Sequence, residues 1–110
     1  MKIMKGPYKL KRSEVQRVVT HTSPGYYKLY RLSGGSVSYV GRSDNDIRAR
    51  LLQHADEGRY VEFEFDYATS PKDAFEHECE LWHRHHPPDN ARHPDRPVGT
   101  NWKCPRCSIF

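Results

Sequence analysis

Gly25-Tyr26-Tyr27-Lys28-Leu29-Tyr30-Arg31-Leu32-Ser33-Gly34-Gly35-Ser36-Val37-Ser38-Tyr39-Val40-Gly41 contains two runs rich in Tyr, Leu and Val, over 26–32 and 36–40, separated by Ser33-Gly34-Gly35. Two such runs around a Gly-containing turn are expected to form an antiparallel hairpin. The hairpin would place the tripeptides Gly25-Tyr26-Tyr27 and Tyr39-Val40-Gly41 on paired strands. Downstream, Asp44-Asn45-Asp46 offers a helix cap, Ile47, Leu51 and Ala55 recur at helical spacing, and Gly58 supplies a stop, so a helix of about three turns is expected. Over 60–67, Tyr60, Glu62, Glu64 and Asp66 alternate with Val61, Phe63, Phe65 and Tyr67, the pattern of a third strand with one wet face. Ser70-Pro71-Lys72-Asp73 opens a further helix that should run to about His85 and stop before Pro87-Pro88. Upstream, Ser13 with Gln16 resembles a capping box for a short helix over 14–19. The Pro-rich stretch 89–110 reads as irregular.

The chain has 110 residues, enough for one domain that buries about two-thirds of its unfolded surface. With 35% apolar residues and a mean hydropathy of −0.95, the core is thin and a metal would help to hold it. No stretch is long and apolar enough to span a membrane. The start, Met1-Lys2-Ile3-Met4-Lys5, has the charge of a signal peptide without an apolar stretch behind it, so the expectation is an intracellular protein, cytoplasmic or nucleoid-associated. In that reducing setting three cysteines, two of them in Cys104-Pro105-Arg106-Cys107, favour metal or free thiols over a disulfide.

The net charge of +4 suits a polyanionic partner, and the charge is uneven. Lys2, Lys5, Lys9, Lys11, Arg12 and Arg17 face a single acid, Glu14, in the first seventeen residues. Such an arm, with Lys9, Lys11 and Arg12 at its centre, would hold phosphates through counterion release without reading sequence. A solvated terminus is the bland alternative. The chain thus divides into a basic arm or short helix (1–22), a central domain (23–94) and a tail packed on that domain (95–110).

Glu78 is out of place by composition alone. Its helical neighbours at three and four residues are Ala74, Phe75, Leu81 and Trp82, so its carboxylate emerges from an apolar stripe. A carboxylate there is costly unless paired, protonated or bound to a cation. One reading is a salt bridge to Arg50 or Arg48; the other is a ligand for Mg2+ or Mn2+, hard cations that prefer oxygen. Arg50 and His54 lie one helical turn apart beside the stripe of Ile47, Leu51 and Ala55, so their heads can converge at the sheet edge. An arginine there could clamp a phosphate oxygen, and a histidine could move a proton near neutral pH. Exposed Arg and His are also ordinary on helices.

The two tripeptides, followed by Arg50, His54, Glu78 and Asn90, resemble the motif series of the GIY-YIG endonucleases over roughly residues 24–94. Tyr26 stands where the first motif has Ile, and Val40 replaces Ile in the second. The resemblance implies an α/β (α+β) fold with a small three-stranded antiparallel sheet flanked by helices. It also implies metal-dependent hydrolysis of phosphodiester bonds in nucleic acid, with DNA favoured. Tyr27 and Tyr39 would be the motif tyrosines, either of them the base; Glu78 would hold catalytic Mg2+ or Mn2+, and Asn90 would hold the geometry of the site. A Tyr has an unperturbed pKa near 10, so it needs a cation nearby, from Arg50, from Arg42 or from a metal-bound water network. Arg42 is also a candidate nucleic-acid contact. Two copies pairing to cut both strands is open.

A second constellation falls partly outside that resemblance. The two-residue spacing of Cys104 and Cys107 is that of a zinc knuckle, and Cys79 with His83 sits at i, i+4 on one helical face. Together they would make a closed structural Zn2+ site of three cysteines and one histidine, with His77, His85, His86 or His93 as substitutes for His83. Four soft ligands leave no vacancy for a catalytic water. The competing function, from a different class, is a non-catalytic, zinc-stabilised nucleic-acid-binding or scaffolding module.

Overall fold

The computed structural model describes residues 4–108. In chain order these form β1 (Lys5–Lys9), α1 (Arg12–Val18), β2 (Gly25–Tyr30), β3 (Tyr39–Ser43), α2 (Ile47–Glu57), β4 (Glu62–Tyr67) and α3 (Pro71–His85). The class is α+β, but the sheet has four strands rather than the expected three, in the order β1-β4-β2-β3 with every pair antiparallel. The extra strand, Lys5-Gly6-Pro7-Tyr8-Lys9, has no apolar alternation, and its register against β4 shifts between Lys5 and Tyr8. Lysine and proline are tolerated on an edge, where one side of the strand needs no ladder partner. A pattern search for a half-buried strand therefore passes over it.

The expected hairpin forms. Tyr27 pairs with Gly41 and Leu29 with Tyr39, which puts the two tripeptides on neighbouring strands. β3 starts at Tyr39 rather than Ser36. The preceding residues are held by single bonds instead of a ladder: Ser38 N–H donates to Leu29 O at 2.9 Å, and Asp89 N–H donates to Ser38 O at 3.0 Å.

Helix boundaries follow cap chemistry where caps exist. Asp46 accepts from the Ala49 N–H to start α2, and Gly58, at φ 71°, ends it in the left-handed conformation that glycine adopts without a Cβ penalty. Ser70 accepts from Asp73 N–H to start α3, with Pro71 in its first turn. The capping box expected at Ser13 is absent: α1 begins at Arg12, with Lys11 as a cap that makes no side-chain bond. Burial drives that helix, since Val15 and Val19 are fully buried.

Helices cover both faces of the sheet. Tyr27 and Leu29 of β2 and Phe63 and Phe65 of β4 pack with Leu10, Val15 and Val19 and with Ile47 and Leu51 of α2 on one face. Each full burial of a large side chain contributes about 1.5–3 kcal/mol. On the other face Tyr26 and Val40 pack against Ala74 and Leu81 of α3. The face of β4 expected to be wet is thus largely covered: Asp66 is buried and takes Lys5 Nζ at 3.0 Å, and Glu64 accepts from Tyr30 and pairs with Lys28. The tail lies on the outer side of α3, where Cys104, Trp102 and Cys107 meet Phe75 and Cys79. No helix among the described residues is long and apolar enough to cross a membrane.

Candidate functional site

The glycines of both tripeptides are sites of close approach. A Cβ on Gly25 would meet Ile47 Cδ1 at 2.5 Å and Asp66 O at 2.6 Å, so the start of α2 rests directly on β2. A Cβ on Gly41 would collide with the ring and hydroxyl of Tyr27. Without a side chain at 41, the Tyr27 phenol crosses over β3, which is an outer strand of the sheet. These two approaches bring His54, at the end of the second turn of α2, over the Tyr27 hydroxyl.

At that point Tyr27 Oη and His54 Nε2 are 2.8 Å apart. His54 is buried among the rings of Tyr27, Tyr39 and Tyr60. Burial first, and Arg50 second, hold its pKa below the ordinary histidine value, so the imidazole is neutral at neutral pH. With its proton on Nδ1, which lies 3.3 Å from Glu57 Oε1 without hydrogen-bond geometry, Nε2 accepts from the Tyr27 hydroxyl. Burial also pushes the Tyr27 phenol well above its usual pKa, with Tyr39 adding to it and Arg50 acting against it. The Arg50 guanidinium lies against both Tyr27 and Tyr39 and donates to Gln53 Oε1 at 2.9 Å. It also borders a hollow of about 360 Å³ lined by Ser43, Asn45, Asp46, Ala49 and Gln53. A buried tyrosine–histidine pair beside an arginine facing open space can bind an anion and move a proton.

Glu78 comes to the same strand from the other face. Arg42 Nη1 donates to Glu78 Oε1 at 2.6 Å, Arg42 Nε donates to Asp44 Oδ1 at 2.8 Å, and the guanidinium lies over the Phe75 ring. The partner is thus Arg42, not Arg50 or Arg48. Sequence separation hides this pair: one residue sits on β3 and the other on α3, and only the docking of that helix joins them. Even so, desolvation outweighs Arg42 and raises the Glu78 pKa to about 7. The bond from Arg42 falls on Oε1, and the second oxygen of a carboxylate is a hard donor able to hold a divalent cation.

Asn90 acts on backbone. Its Nδ2 donates to Val40 O at 2.9 Å and its Oδ1 accepts from Val40 N–H at 3.4 Å, so the amide extends the ladder beyond the edge of β3. Its side chain positions the strand through these two bonds. Lys9, Lys11 and Arg12 are exposed at the β1 end of the sheet, the edge opposite β3, and Arg12 pairs with Asp56 at 2.7 Å.

The tail brings together His83, His93, Cys104 and Cys107, whose ligand atoms all lie within 4.8 Å of one another, a group that can hold a metal ion such as zinc. Cys79 is not in it. That thiol is fully buried beside Phe75 and Cys104, and desolvation pushes its pKa far above the usual cysteine value. His93 takes its place, arriving on a stretch without regular structure. Helical spacing found His83 and a knuckle motif found Cys104 and Cys107, but no periodicity exists to point to His93. No family model, curated protein or solved structure matches this chain.

Proposed function

We propose that the chain is a phosphodiester endonuclease of GIY-YIG type, acting on nucleic acid, DNA before RNA, at the β3 edge. The observation that carries this reading is the convergence of Tyr27, Tyr39, Arg50 and His54 from two strands and a helix, with the Tyr27–His54 contact at 2.8 Å. The net charge of +4 fits a polyanionic substrate. Arg50 binds a non-bridging phosphate oxygen in the hollow and offsets charge that builds there. Tyr27 Oη takes a proton from the attacking water while its own proton passes to His54 Nε2; the water oxygen forms the new bond to phosphorus as the bond to the leaving oxygen breaks. The transfer suits a phenol too basic to ionise alone and an imidazole kept neutral. Glu78 would hold Mg2+ or Mn2+, which supplies Lewis-acid stabilisation of charge on the phosphate and leaving oxygen. Structural zinc in the tail is the second cofactor of this reading.

One observation favours a different class. The short Arg42–Glu78 pair already satisfies one carboxylate oxygen, as a zinc-stabilised binding module with no turnover would have it. Incubation of plasmid, branched DNA and structured RNA with purified protein, with Mg2+ or Mn2+ added or omitted and with Glu78→Gln alongside, separates the two. Cutting that needs added metal and vanishes in a folded, binding-competent Glu78→Gln protein supports the nuclease. Binding without cutting by either protein on every substrate overturns it in favour of the module.

A further inference from the structure

Three features of the tail mark its His/Cys group as more than a chance cluster. His83 Nε2 is enclosed by protein and has no hydrogen-bond partner among the described residues, an orphaned nitrogen on the last turn of α3. His93 Nδ1 is 2.8 Å from Pro94 O; a carbonyl only accepts, so Nδ1 carries the proton and Nε2 keeps its lone pair, 3.3 Å from Cys107 Sγ. Arg106 N–H donates to Cys104 Sγ at 3.4 Å, a contact that favours thiolate over thiol. Tetrahedral zinc has bonds of about 2.0–2.3 Å to nitrogen and sulfur, which sets ligand atoms roughly 3.3–3.8 Å apart. Atoms already within 4.8 Å need only a small contraction to meet that geometry.

Residues beside this group hold the segment that carries Asn90. Trp82 packs edge-on against both His83 and His93, with centroids 5.0 and 5.1 Å away and the two histidine rings 5.2 Å from each other, and its indole N–H donates to Asn90 O at 2.7 Å. Next to Asn90, Asp89 takes two bonds from Arg31 and one from Tyr60. We propose that His83, His93, Cys104 and Cys107 form a closed four-ligand zinc site, and that zinc bridging α3 to His93 pins the Asn90 segment onto the edge strand β3. Cys79 is no ligand; it stays a core thiol behind Cys104. The metal assignment stands independently of the nuclease reading, and only the consequence for cutting rests on it.

Metal analysis of the full chain, followed by cobalt(II) titration of the stripped protein, tests the site directly. Expected are one zinc per chain and a tetrahedral cobalt spectrum whose thiolate charge-transfer intensity corresponds to two sulfurs. His93→Ala and Cys107→Ser should lose the metal, and Cys79→Ala should keep it. Absence of bound metal, a three-thiolate spectrum, or a Cys79→Ala protein that loses zinc while His93→Ala retains it would each overturn the ligand assignment. Because the spectrum is read on the unmutated chain, misfolding of a variant does not remove the test. Hydrogen exchange addresses the pinning: stripping zinc should lower protection of the Val40 amide and the Trp82 indole at least about tenfold. Unchanged protection at both sinks it. A protein that binds zinc as described yet cuts nothing removes the nuclease proposal alone.

Discussion

The aromatic site at the β3 edge and the His/Cys group in the tail are built in opposite ways. Tyr27, Tyr39, Arg50 and His54 all sit on regular strands or a regular helix, and their spacing in sequence translates into direction in space. Two of the four tail ligands are in a knuckle, one ends α3, and His93 lies in irregular chain. In the first case backbone periodicity preorganises the side chains. In the second, the proposed zinc would do so, since 86–108 contains no strand or helix. The teaching is that the β3 site should fail residue by residue, whereas the tail should fail as a unit.

Removal of the tail metal should therefore be the largest perturbation. Apparent binding of structural zinc reaches roughly 10–16 kcal/mol in small peptides, comparable with the whole stability of a domain. A strong chelator should lower the melting temperature more than any single substitution at the β3 site, with loss of near-UV signal from Trp82 and Trp102; a chelator without effect would erase the contrast. Next comes Arg50→Ala, which removes the charge facing the hollow. Its expected cost in kcat is about 10²–10³-fold, as for loss of one transition-state donor, with melting temperature nearly unchanged. Equal losses in stability and in activity would make Arg50 a structural residue.

Gly41→Ala should cost about 1–3 kcal/mol of stability, because the new methyl forces the Tyr27 ring off β3. Chemical denaturation reads this directly. If the variant is as stable as the parent, Tyr27 has room to move and the close approach does not position it.

The smallest effect is in pH. The folded pKa of His54 lies below the ordinary histidine value of about 6.5 through burial and Arg50, so the unfolded chain binds a proton that the folded chain resists. The groups facing it are Tyr27, Tyr39, Tyr60, Arg50, Arg59 and Glu57. Its contribution is then fully present above pH 6.5 and is lost as pH falls through the folded pKa. In His54→Gln the stability decline below that pH should be shallower than in the parent. An identical decline assigns the acid sensitivity to other groups, such as His83 and His85, whose pKa values are also lowered by burial.

Local chemistry made much of this molecule legible in its sequence. The caps at Asp46 and Ser70, the stop at Gly58 and the alternation through Phe63 and Phe65 act within a few residues of chain, and the helices and strands they mark are present. Glu78 was likewise conspicuous, because helical periodicity alone puts its carboxylate among apolar neighbours. Tertiary packing decided what periodicity does not encode. β1 exists because β4 offers it an open edge, and its own residues carry no strand pattern. Arg42 meets Glu78 only because α3 docks on β3, and His93 displaces Cys79 only because the tail folds back over the end of α3. Periodicity fixes which face a residue takes on its own element, while the partner it meets depends on distances between elements far apart in the chain.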